Sequence, residues 1–360
     1  MEEKGPEPAN QGEPVPATLA RDHVPQVVVN CGAGRVRRVL TWLGWFAFAI
    51  SLMILIGQSM ALRQYFRRSE GVRERYYSGA KHVREKVAII SVTGAIMDGE
   101  PVRRQINHAL EDDHVKAVVV RIVSPGGTIT GSDYIRHHLE KLREEKDIPL
   151  VVSMGGIAAS GGYYVAMAVG DQPDTIFAEP MTTTGSIGVV IPYYDVSGLL
   201  QRFDIQDESL ASHPNKRMLS MTHPLTDEQR EILESYLGAA MTRFKDVIQR
   251  GRPMFRQDSE ALEALATGEI FTAEQALEFG LVDEIGFLEA AIDRALEMAG
   301  LDEETARVVE YYRPATLLDL PFSGPSTGLP RGLDLATWFE LNTPQAYYLA
   351  STLPMLANGQ

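Results

Sequence analysis

The sequence predicts an α/β domain with a parallel sheet, preceded by one N-terminal transmembrane helix. Two observations carry this. Short β-branched runs alternate with helical spacings from Lys86 onward, which is the pattern of βαβ units. Ahead of them, Val39 to Leu62 (VLTWLGWFAFAISLMILIGQSMAL) contains no charged residue. At 1.5 Å per residue it spans a hydrocarbon core of about 30 Å. Trp42 and Trp45 sit near one end, where interfacial rings belong.

Residues 1–34 are rich in Pro, Glu, Asn and Gly and read as a disordered polar tail. Segment 39–62 is the anchor rather than a cleaved leader, because the apolar run exceeds a signal h-region of about 7–15 residues. Residues 63–85 are basic and read as a stalk. The α/β domain occupies 86–314. Its strands are Val87–Thr93, Lys116–Val123, Leu150–Ser153 and Thr175–Ala178, with a further extended run at Ile187–Pro192. They are continuous apolar runs, as expected where both sheet faces are covered. Helical spacing covers Arg103–Asp112, Ser132–Glu145 and Ser160–Val169. Thr226–Gln249 is a long amphipathic helix whose Thr226-Asp-Glu-Gln229 start is a capping box. Thr272 caps a short helix that ends at Gly280, Leu288–Met298 is another, and Arg307–Tyr312 is a late strand. Residues 315–360 are a Pro/Gly linker and an aromatic segment with Trp338, Phe339, Tyr347 and Tyr348, expected to dock on its own domain.

Composition removes several function classes. With 34 Lys+Arg against 48 Asp+Glu the net charge is −14, which opposes general nucleic-acid binding. A single cysteine, Cys31, excludes an intrachain disulfide, an all-cysteine zinc site and an iron–sulfur cluster. The glycine-rich loops lack the Gly-Lys-Ser/Thr of a phosphate loop and are no dinucleotide fingerprint, so neither cofactor nor metal is expected.

Two glycine pairs follow apolar strands: Ser124-Pro-Gly126-Gly127, and Gly155-Gly-Ile-Ala-Ala-Ser160-Gly161-Gly162. The ends of parallel strands are where α/β proteins place their sites. Ser160 opens a helix and is a candidate nucleophile, with the amides of Gly161 and of Gly126 or Gly127 as oxyanion donors. A plain N-cap serine in a tight turn is the competing reading. A nucleophilic serine needs a base. Of the eight histidines only His213 and His223, in the loop after the α/β core, are plausible triad members. A lysine kept neutral by burial serves equally, and Lys216 lies in the same loop.

Several elements in order identify a resemblance: Arg121-Ile-Val-Ser-Pro-Gly-Gly127, Ala158-Ala-Ser-Gly-Gly-Tyr-Tyr164, Thr184-Gly-Ser-Ile-Gly-Val189, Pro224-Leu-Thr-Asp-Glu-Gln229, Arg250-Gly-Arg252 and Gly280-Leu-Val-Asp-Glu-Ile-Gly286. From about Val87 to Ala299 the chain resembles the signal peptide peptidase A (protease IV) family of membrane-anchored serine proteases, in its short form. The resemblance implies a Clp protease/crotonase-like fold and a Ser–Lys dyad. Ser160 falls on the nucleophile, Lys216 on the general base, and Ser186 on the serine that positions the lysine amine. Gly127 and Gly161 fall on the oxyanion hole. The stretch around the base departs from the family pattern: it reads Ala211-Ser-His-Pro-Asn-Lys216-Arg217, without the usual Lys-Ser-Gly before the base or acidic residue after it.

The resulting expectation is a single-pass endopeptidase of the cell membrane. It would cut hydrophobic peptides such as signal-peptide remnants, contact lipid through 39–62 and assemble as a cyclic homo-oligomer. Five arginines beyond the anchor (63, 67, 68, 73 and 75) against three before it would place the domain in the cytoplasm. The resemblance implies the non-cytoplasmic side, which is the expectation adopted. The alternatives are a crotonase-like acyl-CoA enzyme and a non-catalytic membrane scaffold.

Overall fold

The computed structural model describes residues 33–69, 71–314 and 347–349. The chain divides near Gln64 into an N-terminal unit and an α/β unit. Helix α1 (Ala33–Ser69) is longer at both ends than the expected anchor. Its Leu40–Ser59 stretch has a mean hydropathy of 2.0 and no buried residue, so it is long and apolar enough to cross a membrane. The expected tail, 1–34, lies outside the described residues except for its last two positions, which are helical.

The α/β unit begins earlier than the sequence suggested. Residues 63–85 are not all stalk: β1 (Arg73–Gly79) pairs antiparallel with a late strand at the sheet edge. Its alternation of charge and tyrosine hides it from a search for apolar runs. Next come β2 (Lys86–Thr93), α2 (Glu100–Glu111), β3 (Val115–Ser124), β4 (Gly126–Thr128), α3 (Ile129–Lys146), β5 (Leu150–Ala159), α4 (Gly161–Ala166), β6 (Ile176–Ala178) and β7 (Thr183–Gly185). Then follow α5 (Ser197–Arg202), α6 (Asp227–Gly251), α7 (Met254–Gln257), α8 (Ser259–Leu265), β8 (Ile270–Thr272), α9 (Ala273–Glu278), β9 (Glu284–Ile285), α10 (Leu288–Met298), β10 (Arg307–Tyr312) and β11 (Tyr347–Leu349). Ile187–Pro192 forms no strand. Ser186 turns the backbone at φ 50°, which ends β7 and drives Ile187 into the core instead.

The main sheet runs β1-β10-β2-β3-β5-β6-β9, with β7 on β5 and β8 on β7. From β10 to β9 its pairs are parallel. Alternate strand residues face two cores, as period-2 geometry requires. Ala88, Ile90, Val118, Val120 and Ile122 pack with α2, α3, α4 and α6 on one face. Val87, Ile89, Ala117 and Val119 pack with Ala291, Ile292, Ala295 and Leu296 of α10 on the other. Both capping boxes are present: Thr226 with Gln229, and Thr272 with Gln275. Of the expected C-terminal aromatic segment, β11 is described. It pairs antiparallel with β4, placing Tyr347 opposite Thr128, Tyr348 opposite Gly127 and Leu349 opposite Gly126.

Candidate active site

Ser160 sits between β5 and α4, at the carboxyl end of a central strand. Its φ of 53° and ψ of −114° are an unusual backbone state for serine. Such states cost on the order of 1–3 kcal/mol and persist where the surroundings over-determine them. Here the Ser160 N–H donates to the Gly185 carbonyl at 2.8 Å, and the Ser160 carbonyl accepts from the Tyr164 N–H at 2.8 Å. The side chain is fully buried, and its Oγ has no hydrogen-bond partner among the described residues. A buried hydroxyl without a partner costs stability. Its persistence marks a position held for something other than packing.

Register brings Ser186 to Ser160. Ala159 of β5 is aligned with Gly185 of β7, so the two serines are the next residues of paired parallel strands. Ser186 is buried, also has positive φ, and donates its N–H to the Glu269 carbonyl at 2.6 Å.

The glycine loops meet at the same point. Gly161 packs against Ser132 Oγ, and a Cβ on it would lie 3.1 Å from both Gly126 Cα and the Gly127 nitrogen. Gly127 in turn lies on the Ile96 backbone, with no room for a side chain. The loop is tied by Ile96 N–H to the Gly126 carbonyl (2.8 Å) and by Thr128 N–H to the Ile96 carbonyl (2.7 Å). Gly161 is the first residue of α4, where amides lack intrahelical acceptors. The structure thus brings Ser160, Ser186, Gly127 and Gly161 together.

Packing behind the site fixes α4. The Tyr163 hydroxyl donates to the Leu281 carbonyl at 2.8 Å, and the Tyr164 hydroxyl donates to Asp133 Oδ1 at 2.6 Å. Burial, and then the Asp133 carboxylate, push the Tyr164 phenol up to about 12. Burial alone would raise Asp133. The Tyr164 hydroxyl and the Arg136 and Arg243 charges outweigh it and hold the carboxyl below its ordinary value. No spacing in the sequence announces this cluster, since its members come from three helices.

Lys216 is placed differently. It is exposed, on a single 3₁₀ turn (Pro214–Arg217) after α5. Because Ser160 Oγ has no partner, no hydrogen bond joins it to Lys216 within the chain. A cleft runs between the residues that follow the glycine loop and the turn: Thr128 comes directly after Gly127, and Met218 directly after the turn, while neither Lys216 nor Ser160 lines it. The cleft, of about 740 Å³, is walled by Thr128 and Ile129 on one side and by Met218, Leu219 and Ile232 on the other. Both histidines lie on the same loop. His213 caps the 3₁₀ turn, with its Nδ1 accepting the Asn215 N–H at 3.1 Å. His223 Nε2 lies 2.9 Å from Asp207 Oδ2.

A buried serine beside paired glycines, next to an edge that already carries an antiparallel strand, suits attack on a carbonyl of an extended peptide. Comparison with known proteins agrees. Residues 142–302 match the family model for peptidase family S49. The chain is 37% identical over 245 residues to a putative signal peptide peptidase SppA of Enterococcus faecium, covering 64% of this chain and 68% of that protein. It is 37% identical over 238 residues to a putative protease of Synechocystis sp., covering 65% and 82%. It is 32% identical over 237 residues to a chloroplastic serine protease SPPA of Arabidopsis thaliana, covering 65% and 34%. The fold, the buried serine at the strand end and these relatives place the chain in peptidase family S49, as a serine protease of the signal peptide peptidase A kind.

Proposed function

We propose that the protein is a membrane-anchored endopeptidase with a Clp protease/crotonase-like domain, using Ser160 as nucleophile and Lys216 as general base on hydrophobic peptides such as signal-peptide remnants. The observation that carries the reading is the buried, unpartnered Ser160 hydroxyl in a strained turn against Gly127 and Gly161. A peptide adds as an antiparallel strand along β4, where β11 lies. Ser160 Oγ attacks the scissile carbonyl carbon while its proton passes to the neutral Lys216 amine. The Gly127 and Gly161 amides hold the oxyanion. The lysine then protonates the leaving amine, and water repeats the sequence on the acyl-enzyme. Ser186, beside Ser160 in register, orients the amine. The apolar cleft beyond Thr128 accepts an apolar side chain of the peptide.

A neutral lysine must be enclosed: lowering its pKa by about 3 units corresponds to about 4 kcal/mol against the ammonium. Lys216 is exposed in the single chain, so the reading requires closure over the groove. A second copy of the chain supplies it in the cyclic homo-oligomer implied by the family resemblance. The domain is taken to lie on the non-cytoplasmic side.

The alternative with specific support is a Ser–His mechanism. His223 paired to Asp207 resembles the lower half of a triad. The acyl-CoA reading draws no support from relatives named as proteases, and the scaffold reading leaves the strained Ser160 without a purpose.

The test is cleavage of an apolar fluorogenic peptide by the full chain in detergent, with Ser160→Ala alongside. Loss of cleavage in the variant supports the reading; unchanged cleavage removes it.

A further inference from the structure

Asp207, on the loop after α5, gathers partners from both ends of the segment that carries Lys216. Its Oδ1 accepts the Ser209 N–H at 2.8 Å. Its Oδ2 accepts the Thr222 hydroxyl and lies 2.7 Å from Arg217 Nη2 and 2.9 Å from His223 Nε2. The Asp207 side chain is only 13% exposed, although it sits on a surface loop. Arg217 is the immediate neighbour of Lys216. The turn itself is braced at its start: Lys216 N–H donates to the His213 carbonyl at 3.0 Å, and Gln229 Nε2 donates to the Pro214 carbonyl at 3.2 Å.

A second observation lies just beyond the turn. Leu219 holds φ 70°, a left-handed state rare for a leucine. That strain survives only where neighbours fix the backbone on both sides. Asp207 does so, through Arg217 before Leu219 and through Thr222 and His223 after it. Met218 and Leu219 meanwhile form one wall of the cleft that begins at Thr128. The same carboxylate therefore sets the base-bearing turn and one wall of the groove.

We infer that Asp207 is a positioning residue for the reaction: by drawing Arg217 inward it fixes the 3₁₀ turn that holds Lys216 next to the Met218–Leu219 wall of the cleft. The inference rests on Lys216 as the base. It also accounts for the departure from the family pattern around Lys216. The acidic partner of this turn comes from Asp207, nine positions earlier in the chain, instead of from the residue after the lysine.

The groups facing Asp207 are Arg217, His223, Thr222 and the Ser209 amide, with the Asp195 carboxylate near His223. Ser209 and Thr222, and then Arg217, hold the Asp207 carboxyl far below the usual carboxylate range. It is ionised at neutral pH, so removing its charge acts on the state in which the reaction runs.

The test uses the full chain in detergent. Asp207→Asn keeps the shape and removes the charge. The expected result is a kcat lower by about tenfold or more, because ångström-scale misplacement of a catalytic group is that costly, with KM within about twofold. Asp207→Glu should restore most of kcat. If Asp207→Asn does not fold, Arg217→Gln breaks the same contact from the other side and should give the same kcat loss with KM again within about twofold. Wild-type kcat in the folded variants, with Lys216→Ala inactive, would overturn the positioning role alone. An active Lys216→Ala together with an inactive His223→Gln would remove the base assignment and this inference with it.

Discussion

Replacing Gly127 by alanine tests the oxyanion edge. A Cβ at this position would lie 2.6 Å from the Ile96 nitrogen and 2.5 Å from its carbonyl carbon, and closer still to its oxygen. Ile96 cannot withdraw freely, because it is hydrogen-bonded to Gly126 at 2.8 Å and to Thr128 at 2.7 Å. Overpacking of this kind costs about 1–3 kcal/mol. Weakening the two backbone hydrogen bonds adds about 1 kcal/mol each at most. The expected loss of stability is therefore about 2–4 kcal/mol, read by urea unfolding. The displaced Gly127 amide would also lose its aim at the oxyanion, which lowers kcat by about 10²–10³. Gly156→Ala is the matched control on β5: nothing lies within 4 Å of its Cβ position, so stability should stay within about 0.5 kcal/mol. A Gly127→Ala protein with wild-type stability would refute the packing argument. A stable variant with wild-type kcat would refute the oxyanion role as well.

Three further expectations follow from particular contacts. Lys216→Arg should be nearly as inactive in peptide cleavage as Lys216→Ala, because a guanidinium does not give up its proton and cannot serve as a base; an active Lys216→Arg would contradict the lysine's role. Lys86, 8% exposed, bridges Glu74 of β1 and Asp112 at 2.6 Å each. A His108 contact, together with Lys86 and against burial, lowers Glu74; burial raises Asp112, but Lys86 and the His114 amide together outweigh it and lower the carboxyl. Depressed carboxyls stabilise the fold above their unfolded values of about 3.9–4.3, and that contribution is lost as pH falls through the native values. Lys86→Met should thus cost about 2–3 kcal/mol in denaturant unfolding at pH 7 and clearly less at pH 3.5; a cost independent of pH would contradict this. Finally, β11 lies on the β4 edge where the proposed peptide strand would add, so deleting residues 347–360 should lower the peptide KM several-fold; an unchanged KM would mean the strand does not compete.

The sheet was legible because its inner strands are buried on both faces: Val87–Thr93 and Lys116–Val123 read as strands from apolar runs alone. β1 was not, since Arg73, Glu74 and Arg75 belong to an edge whose partners are charged groups of β10 and the β2 start. β4, β7 and β8 are too short for periodicity to reveal. Their pairing is set by the turns at Gly127 and Ser186, and it is these strands that bring the serines and glycines together. Ser160 was readable from its place between an apolar strand and a glycine-led helix. Its backbone strain and unpartnered hydroxyl were not, because they depend on the distant Gly185 carbonyl. The Asp207 cluster gave no sequence signal, since it joins residues 207, 217, 222 and 223 through a loop without repeating pattern.

The central claim, that Ser160 is a nucleophile activated by Lys216, is tested most directly by covalent labelling with a serine-directed phosphonate, followed by intact mass. The expected result is one added phosphonyl group per wild-type chain, none on Ser160→Ala, labelling slowed by orders of magnitude on Lys216→Ala, and a near wild-type rate on His223→Ala. Labelling that persists in Ser160→Ala, or that is lost in His223→Ala while Lys216→Ala reacts normally, would contradict it.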